Sequence, residues 1–372
     1  MSLADLAAAG ITALLAAATL LPLSRIEHWR VRGLDFPRLQ IACALAALLL
    51  AQTLMLRDDV TLLRGSLLLA TAGCLALQAW WIVPYTRLFR PEVLSAKKQD
   101  DANTVRIMTA NVLTPNRDAP ALRALVARHQ PDLLVTLETD RWWQDQLSAL
   151  HDDYPYRVQQ PQDNLYGMHL YSRYALSDTE VQFLVEDDVP SIHTQVTLPS
   201  GRRVSLHCLH PAPPSPTEND TSSERDAELV MVGKRVRASE LAVIVTGDLN
   251  DVAWSATTRL FRKVSGLLDP RVGRGMFNTF DARYAVLRWP LDHLFHSAHF
   301  QLLDIRRLPS FGSDHFPMLV TLLHTSHVSA RQDGLSADAD DRALARDKVE
   351  DEGVQVADVH LPGRAGDAAQ SV

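Results

Sequence analysis

The sequence predicts a layered α/β or α+β domain with two β-sheets, preceded by three membrane-spanning helices. Three apolar runs in the first 85 residues, Leu6–Leu23, Leu39–Leu56 and Ser66–Tyr85, contain no Asp, Glu, Lys or Arg. Residues 104–325 carry many short strand candidates interleaved with a few helices, which is typical of a two-sheet domain. Several of these strands end on a polar residue, so we expect the chemistry at the strand ends.

Each apolar run is long enough to cross a bilayer. The runs have about 18 to 20 residues, and a helix needs about 20 to cross the hydrocarbon core. A buried core helix is the alternative for any one run, and a secretory signal is the alternative for the first. The first run is preceded by Asp5 instead of a basic segment, and two further runs follow it. We therefore expect a membrane anchor over residues 1–90.

The distribution of basic residues predicts the orientation of this anchor. Cytoplasmic flanks of membrane helices carry an excess of Lys and Arg. The opposite loop holds only Arg57 and Arg64, beside Asp58 and Asp59. The basic flanks are the loop between the first two runs, with Arg25, Arg30, Arg32 and Arg38, and the segment after the third, with Arg87, Arg90, Lys97 and Lys98. We expect a multi-pass protein of a bacterial inner membrane, with an outside N-terminus and a cytoplasmic C-terminal domain.

Charge and cysteine usage add little about partners. The net charge is -7, but ten acidic and five basic residues fall in residues 331–372. We therefore predict a disordered acidic tail at 326–372 and a polar linker at 91–103. The remaining domain, 104–325, is near neutral and gives no strong electrostatic case for nucleic acid. Cys43, Cys74 and Cys208 suggest no disulfide framework.

Several elements of the domain can be assigned individually. Val105–Ala110 is a strand candidate ending at Asn111, and a helix over 119–129 follows with Asp118 as its N-cap. PDLLVTLE is a buried strand that stops at Glu138. The stretches 191–198 and 203–210 read as a hairpin whose second strand delivers His210 to a loop. Three strands in this part of the chain therefore end on a candidate polar residue.

The stretch Val243–Asp251, VIVTGDLND, is the centre of the argument. Its apolar first half predicts a buried strand that ends in a polar turn. Asp248 and Asn250 are two positions apart and would point the same way from a strand end. Such a pair can hold an attacking water and a phosphoryl oxygen. An Asp/Asn turn without catalytic function is the alternative for this stretch taken alone.

Taken together, the strand ends and turns supply a set of polar residues with a common chemistry. Carboxylates and amides suit Mg²⁺, which prefers oxygen ligands, and histidines suit proton transfer near neutral pH. Each residue alone has a structural alternative, such as a strand-end cap or a helix N-cap. His207 and His210 face opposite ways on a strand, so one of them is expected to be structural. The candidate residues are Asn111, Glu138, His210, Asp248, Asn250, Asp292, Asp314 and His315.

The ordered set of segments carrying these residues resembles the endonuclease/exonuclease/phosphatase superfamily, which includes deoxyribonuclease-I-like enzymes, apurinic-site endonucleases, neutral sphingomyelinases and inositol-polyphosphate 5-phosphatases. The segments are RIMTANVL, PDLLVTLET, GMHLYSRYAL, VSLHCLHPAPP, VIVTGDLND, RWPLDHLFHS and GSDHFPMLV. They lie within about 104–325, roughly 60% of the chain. The resemblance implies an α+β, four-layered α/β/β/α sandwich and a metal-dependent hydrolase of phosphate esters.

The resemblance also implies residue roles. Glu138 matches the metal-binding Glu, and Asn111 and Asp314 match residues beside the metal, for which Mg²⁺ is expected and Mn²⁺ is the alternative. Leu113 stands where nuclease members often have a second carboxylate, so a single metal held mainly by Glu138 is expected. The catalytic matches are His210 for proton transfer or phosphate contact, Asp248 for activating water, Asn250 for the transition-state oxygens, and Asp292 with His315 as the Asp–His pair.

Three hypotheses remain open for the substrate. The first is a membrane-anchored, nuclease-like phosphodiesterase, and the second is a sphingomyelinase-like enzyme acting on phospholipid head groups. The third is a membrane scaffold that kept the fold without the chemistry, which the complete set of Asp248, Asn250, Asp292 and His315 argues against. The expected partners are the membrane and a nucleic-acid or lipid phosphate ester, and nothing in the sequence points to a protein partner.

Overall fold

The computed structural model describes residues 2–58, 61–325 and 332–363 of the chain. Its helices are α1 (Leu3–Leu20), α2 (Trp29–Arg32), α3 (Arg38–Asp58), α4 (Leu62–Ile82), α5 (Ala119–His129), α6 (Arg141–Leu147), α7 (Ser223–Val236), α8 (Ala256–Ser265) and α9 (Ala339–Asp351). Its strands are β1 (Thr104–Asn111), β2 (Leu133–Leu137), β3 (Tyr156–Gln160), β4 (Met168–Ser172), β5 (Ala175–Gln182), β6 (Ser191–Thr197), β7 (Arg203–Leu209), β8 (Ala242–Asp248), β9 (Asp292–His296), β10 (Phe300–Arg307) and β11 (Met318–His324).

Among the described residues, the strands form a six-stranded and a five-stranded sheet. The strand orders are β10-β11-β1-β2-β4-β3 and β5-β6-β7-β8-β9. Each sheet has one parallel pair, β1 with β2 and β7 with β8, and the other neighbours are antiparallel. Parallel neighbours end at the same edge of a sheet. Each parallel pair therefore brings two strand ends together.

The two sheets pack face to face with helices on both outer faces. Apolar side chains that alternate along the strands, among them Ile107, Val135 and Ile244, fill the space between the sheets. The outer face of the six-stranded sheet is buried by α5 and α6, and that of the five-stranded sheet by α7, α8 and α9. The predicted four-layered α/β/β/α sandwich is confirmed.

Three helices in the described part of the chain, Leu3–Leu23, Arg38–Leu56 and Leu62–Tyr85, are long and apolar enough to cross a membrane, as the sequence predicts. Buried side-chain hydrogen bonds join them. The Gln52 amide donates to Thr12 Oγ1 at 2.9 Å, and the Gln78 amide donates to Thr19 Oγ1 at 3.1 Å. Polar bonds of this kind stabilise helix association where no water competes.

These helices are packed directly onto the sandwich. Tyr85 Oη donates to the carbonyl oxygen of Ala253, and Trp254 Nε1 donates to the carbonyl oxygen of Asp35 at 2.8 Å. Tyr85 and Trp254 belong to one buried apolar cluster. Beside it, the buried guanidinium of Arg262 forms an ion pair with Glu92. The anchor and the sandwich therefore share a buried interface.

The predicted linker and tail are more ordered than the sequence indicates. Val93 is buried in the core between the sheets, and Leu94 and Ala96 exchange backbone hydrogen bonds with Leu302 of the edge strand β10. In the tail, predicted to be disordered, α9 buries Ala345 and Val349 against the helices on the five-stranded sheet. Two apolar residues one turn apart are too weak a signal in an acidic stretch, so the sequence prediction was wrong for this helix. Residues 326–331 and 364–372 of the predicted tail lie outside the described residues.

Buried histidines lie on the outer face of the five-stranded sheet. His193 and His207 are fully buried on neighbouring strands, with their Nδ1 atoms 2.7 Å apart. Ser191 and Ser205 bond the Nε2 atoms of the two rings. Burial lowers the pKa of His207 to about 3 and that of His193 well below its usual value. Both rings are therefore neutral in the folded protein, and His207 is the structural member of the pair His207 and His210.

We expect His207 to make the folded state sensitive to acid. The unfolded histidine has a pKa of about 6.5. Below that pH the unfolded chain binds a proton at this residue, whereas the folded chain does not. Stability present above about pH 6.5 is then lost as the pH falls toward about 3, by up to about 1.4 kcal/mol per pH unit. The measurement is urea unfolding of the full chain in detergent at pH 7, 6 and 5.

A His207→Gln variant isolates this contribution. It should be less stable than the parent at pH 7, because His193 loses its partner, but its stability should change less with pH. His151→Gln, a replacement at a half-buried histidine in the turn before β3, is the matched control. Equal pH slopes for the parent and the His207 variant would contradict the assignment.

Candidate active site

The predicted site residues lie along one edge of the two packed sheets. Asn111 ends β1, Asp248 ends β8, and Asp292 begins β9 directly opposite Asp248. Gly247 lets β8 approach β7 closely, because a Cβ there would lie 1.8 Å from the carbonyl oxygen of Leu209. The fold thus brings side chains that are far apart in sequence to one edge, and every predicted site residue lies there.

His315 joins two buried carboxylates. Its Nδ1 lies 2.8 Å from Asp292 Oδ2, and its Nε2 lies 3.5 Å from Asp248 Oδ2. Burial opposes the protonated ring, but the charges of Asp292 and Asp248 outweigh it and raise the pKa of His315 to about 10. The ring of Phe280 packs on the imidazole at 4.9 Å between centroids. His315 is therefore an imidazolium at neutral pH, with its Nε2 atom on the side of Asp248.

Asn111 and Glu138 form the adjoining half of the site. The Asn111 amide donates to Glu138 Oε1 at 2.7 Å and to Asp248 Oδ2 at 3.2 Å. The other oxygen, Glu138 Oε2, is buried and has no hydrogen-bond partner among the described residues. Burial raises the pKa of Glu138 to about 7, although the Asn111 bond opposes the shift. The ionised carboxylate therefore lacks a cationic or donating partner at Oε2.

A divalent cation fits this half of the site. An unpaired, buried carboxylate oxygen gains most from a hard cation, and Mg²⁺ binds through oxygen ligands. Within the described chain, Asp248, Asp292 and His315 also form a group with ligand atoms within 4.8 Å of one another. His315 is protonated and already bonded to Asp292 there, so it has no free nitrogen lone pair for a metal. The Glu138 side is thus the better cation site.

His210 and Asn250 flank Asp248. His210 Nε2 lies 4.0 Å from Asp248 Oδ2, and the Tyr166 ring lies 5.3 Å from the imidazole. Burial lowers the pKa of His210 to about 4, so this ring is neutral. Asn250 donates its backbone N–H to Asp248 Oδ1 and its amide to the carbonyl oxygen of Pro211. Both residues therefore face the same carboxylate as His315.

Asp314 lies at the rim of the site and contacts an arginine. Its Oδ2 is 3.6 Å from Nη2 of Arg283, which also pairs with Asp281. Burial raises the pKa of Asp314, and its charge in turn contributes to the raised pKa of Glu138. Asp314 is thus coupled electrostatically to Glu138, while its nearest ionic partner is Arg283.

Sequence reasoning missed a buried ionic group behind the Asn250 loop. Arg225 of α7 donates to the carbonyl oxygen of Asn250 at 2.8 Å and pairs with Asp226 at 2.9 Å. Asp251 lies 3.7 Å from the same guanidinium, and Lys348 of α9 pairs with Asp226 at 2.7 Å. From the sequence, the adjacent charges of Arg225 and Asp226 indicate a solvent-exposed helix face. No sequence pattern therefore predicts their burial behind the Asn250 loop. The group fixes the loop that carries Asn250.

The sandwich and its polar edge define a deoxyribonuclease-I-like fold, and comparisons with known proteins agree. The profile described as "Endonuclease/Exonuclease/phosphatase family" matches residues 108–315, more than half of the chain. The protein therefore belongs to the endonuclease/exonuclease/phosphatase family, whose members are hydrolases acting on phosphate esters. No curated protein matches the chain.

Three solved structures are similar in fold. D. rerio TDP2 complexed with a single-strand DNA product is 18% identical, with 59% of this chain and 98% of that chain covered and a TM-score of 0.49. A family protein from Bacteroides thetaiotaomicron is 19% identical, with coverage of 61% and 97% and a TM-score of 0.47. The human Nocturnin catalytic domain with bound sulfate is 16% identical, with coverage of 60% and 94% and a TM-score of 0.47.

We expect Arg225→Lys to lower activity while keeping the buried charge. Lysine cannot bond the Asn250 carbonyl and Asp226 together as the forked guanidinium does, so the loop loses its anchor. Loss of a supporting contact of this kind typically lowers activity about 10- to 100-fold. The measurement is the turnover number of the purified full chain, with thermal unfolding recorded alongside.

The matched control is Arg235→Lys on the same helix, where the guanidinium bonds the carbonyl oxygen of Val359. It should keep parental turnover. If both variants lose activity in proportion to their stability, Arg225 has no specific positioning role.

Proposed function

We propose that the protein is a divalent-metal-dependent phosphodiesterase that hydrolyses its substrate by in-line attack of water. The observation that carries the proposal is the Asp292–His315–Asp248 arrangement beside Glu138, whose Oε2 atom is buried and unpaired among the described residues. A protonated donor, an ionisable acceptor and a cation site adjoin one another there. This combination suits phosphoryl transfer, which depends on positioning and charge stabilisation.

Asp248 is the residue that orients the attacking water and accepts its proton. Its Oδ1 is held by the Asn250 backbone N–H, and its Oδ2 faces Asn111 and His315. These donors fix the carboxylate in one orientation. A water hydrogen-bonded to this fixed carboxylate would be held in a defined orientation toward the phosphorus atom, which lowers the entropic cost of its attack.

His315, His210 and Asn250 are proposed to stabilise the oxygens that gain negative charge. His315 can donate from Nε2 because Asp292 occupies Nδ1. His210 is neutral and can donate from one ring nitrogen, while Asn250 has a second amide hydrogen besides the one bound to Pro211. Donors fixed in place before the reaction need no reorganisation when charge develops.

The proposed cation is Mg²⁺ or Mn²⁺, held mainly by Glu138, with Asn111 and Asp314 beside it. When bound, it would neutralise charge on the phosphoryl oxygens. In the chain itself, Asn111 keeps Glu138 in place by a hydrogen bond to Oε1 and leaves Oε2 for the ion. Leu113 contributes only its backbone N–H, bonded to Asn111 Oδ1, which supports a single-metal site.

The same site residues could act on either substrate class predicted from the sequence, nucleic acids or phospholipid head groups. We also propose that the sandwich lies on the cytoplasmic side of the membrane. The basic residues flanking the three apolar helices on that side support this orientation.

We expect Asp248→Asn to abolish turnover while the protein stays folded. The amide preserves the shape and the contact with the Asn250 N–H, but it cannot accept a proton from water. Because the residue acts on the nucleophile itself, a loss of at least about 10³-fold is expected. The assay is hydrolysis of bis(p-nitrophenyl) phosphate by the full chain in detergent, with Mg²⁺.

The matched control is Asp304→Asn, a half-exposed carboxylate on β10 that pairs with Arg306. Its activity should equal that of the parent. Residual activity in Asp248→Asn within tenfold of the control would overturn the assignment of Asp248.

Metal removal should abolish activity, and Glu138→Gln should raise the metal requirement. A neutral amide at this position holds a cation less tightly, and loss of such a charge is expected to weaken apparent Mg²⁺ affinity at least about 10- to 100-fold. The measurement is turnover against Mg²⁺ concentration after treatment with a chelator. Glu240→Gln, at an exposed position away from the site, should give the parental curve; full activity in chelator would exclude a metal mechanism.

A further inference from the structure

The membrane-side segments contact the same edge of the sandwich that carries the active site. Trp254 and Ala253 lie in the loop that follows Asp248, and they bond Asp35 and Tyr85 of the anchor. His28, between the first two apolar helices, pairs with Thr221 in the loop that follows β7. The active-site edge therefore faces the anchor.

A second loop on this edge, residues 281–289, lies at the end of a membrane helix. The Gln40 amide, in the first turn of α3, donates to the carbonyl oxygen of Val286 at 2.9 Å. At the end of the loop, Trp289 meets Phe36 edge-on, with ring centroids 5.7 Å apart. The span predicted to cross the bilayer begins at Arg38. The loop is thus fixed at the level where α3 enters the membrane.

The exposed side chains of loop 281–289 are apolar apart from that of Arg283. The exposed fractions are 53% for Tyr284, 78% for Val286 and 44% for Leu287. In water this surface would be unfavourable by about 25 cal/mol per Å². Arg283 and Arg288 flank the three residues. An aromatic ring, aliphatic side chains and flanking arginines together are typical of segments that rest in a head-group layer.

The same loop also contacts the catalytic residues. Phe280, just before it, packs on the imidazole of His315, and Ala282 donates its N–H to the carbonyl oxygen of Asp314. Arg283 approaches Asp314 from the rim. From Phe280 to Val286 the chain can span at most about 20 Å. The reacting phosphate therefore lies within a short reach of the membrane surface.

We propose that loop 281–289 rests in the head-group layer of the bilayer that holds α1, α3 and α4, and that the substrate is a phosphate ester of a membrane lipid. The inference rests on the phosphodiesterase function proposed above. A lipid head group meets the site from the side on which Val286 and Leu287 are exposed, without leaving the membrane. A long nucleic acid would have to pass between the sandwich and the bilayer, beside a loop whose exposed side chains are mostly apolar and give its phosphates few partners.

The test uses the full chain in vesicles of phosphatidylethanolamine, phosphatidylglycerol, phosphatidic acid and sphingomyelin, with Mg²⁺. Release of phosphate or head group is compared with hydrolysis of bis(p-nitrophenyl) phosphate by the same sample, so that folding and catalysis are read in parallel. The loop variant is Val286→Asp combined with Leu287→Asp. The control is Tyr156→Asp, at the opposite edge of the sheet and 43% exposed.

We expect vesicle lipid to be hydrolysed and the ratio of lipid to soluble-ester turnover to fall at least about tenfold in the loop variant, because charged side chains enter an apolar layer poorly. The control should keep the parental ratio, and Asp248→Asn should lose both activities.

Three results would overturn the lipid assignment while leaving the phosphodiesterase function intact: soluble-ester hydrolysis without lipid turnover, an unchanged ratio in the loop variant, or plasmid DNA or RNA cleaved faster than vesicle lipid. Loss of both activities in the parent protein would instead overturn the proposed function itself, so the two failures are distinguishable.

Discussion

The structure depends on the burial of several carboxylates at one edge of two packed sheets. Asp248 and Asp292 are almost fully removed from water, and Glu138 is half-buried with its Oε2 atom buried; carboxylates in such a place need partners. His315 serves the first two as an imidazolium, and Glu138 retains an oxygen that a cation would satisfy. The electrostatic balance that makes the site stable in the folded chain is thus the same balance that suits it to binding a phosphate ester.

Positive charges behind the strand ends complete this balance and fix the backbone. Arg225 bonds the Asn250 carbonyl, and Arg271 pairs with Asp269 while donating to the Asp292 carbonyl. Both guanidiniums are buried, so they hold the backbone of Asn250 and Asp292 in place from inside the protein. Arg225 pairs with Asp226, which also pairs with Lys348 of α9, and Lys348 in turn pairs with Glu27 of the anchor. The tail and the anchor are therefore parts of the support of the active site.

The anchor contacts the loops of the sandwich that surround the candidate site. Several of its contacts fall on the loops after β7 and β8 and before β9, which are the loops that carry or adjoin the candidate site residues. Movement of the anchor relative to the domain would therefore disturb the site, because the packed interface is shared. The geometry of the site is thus tied to the position of the three apolar helices.

Much of this protein followed from its sequence alone, because local patterns carry the relevant physics. The uncharged runs predicted the three apolar helices. The strand candidates that end at Asn111, Glu138 and Asp248 predicted the two-sheet domain and the edge that holds the site. What only the tertiary structure decided are long-range contacts with no periodic signature: Arg225 behind Asn250, α9 on the sandwich, and loop 281–289 against α3. Such contacts depend on which surfaces meet after folding, and the charges involved resemble solvated surface residues until a partner far away in the chain buries them.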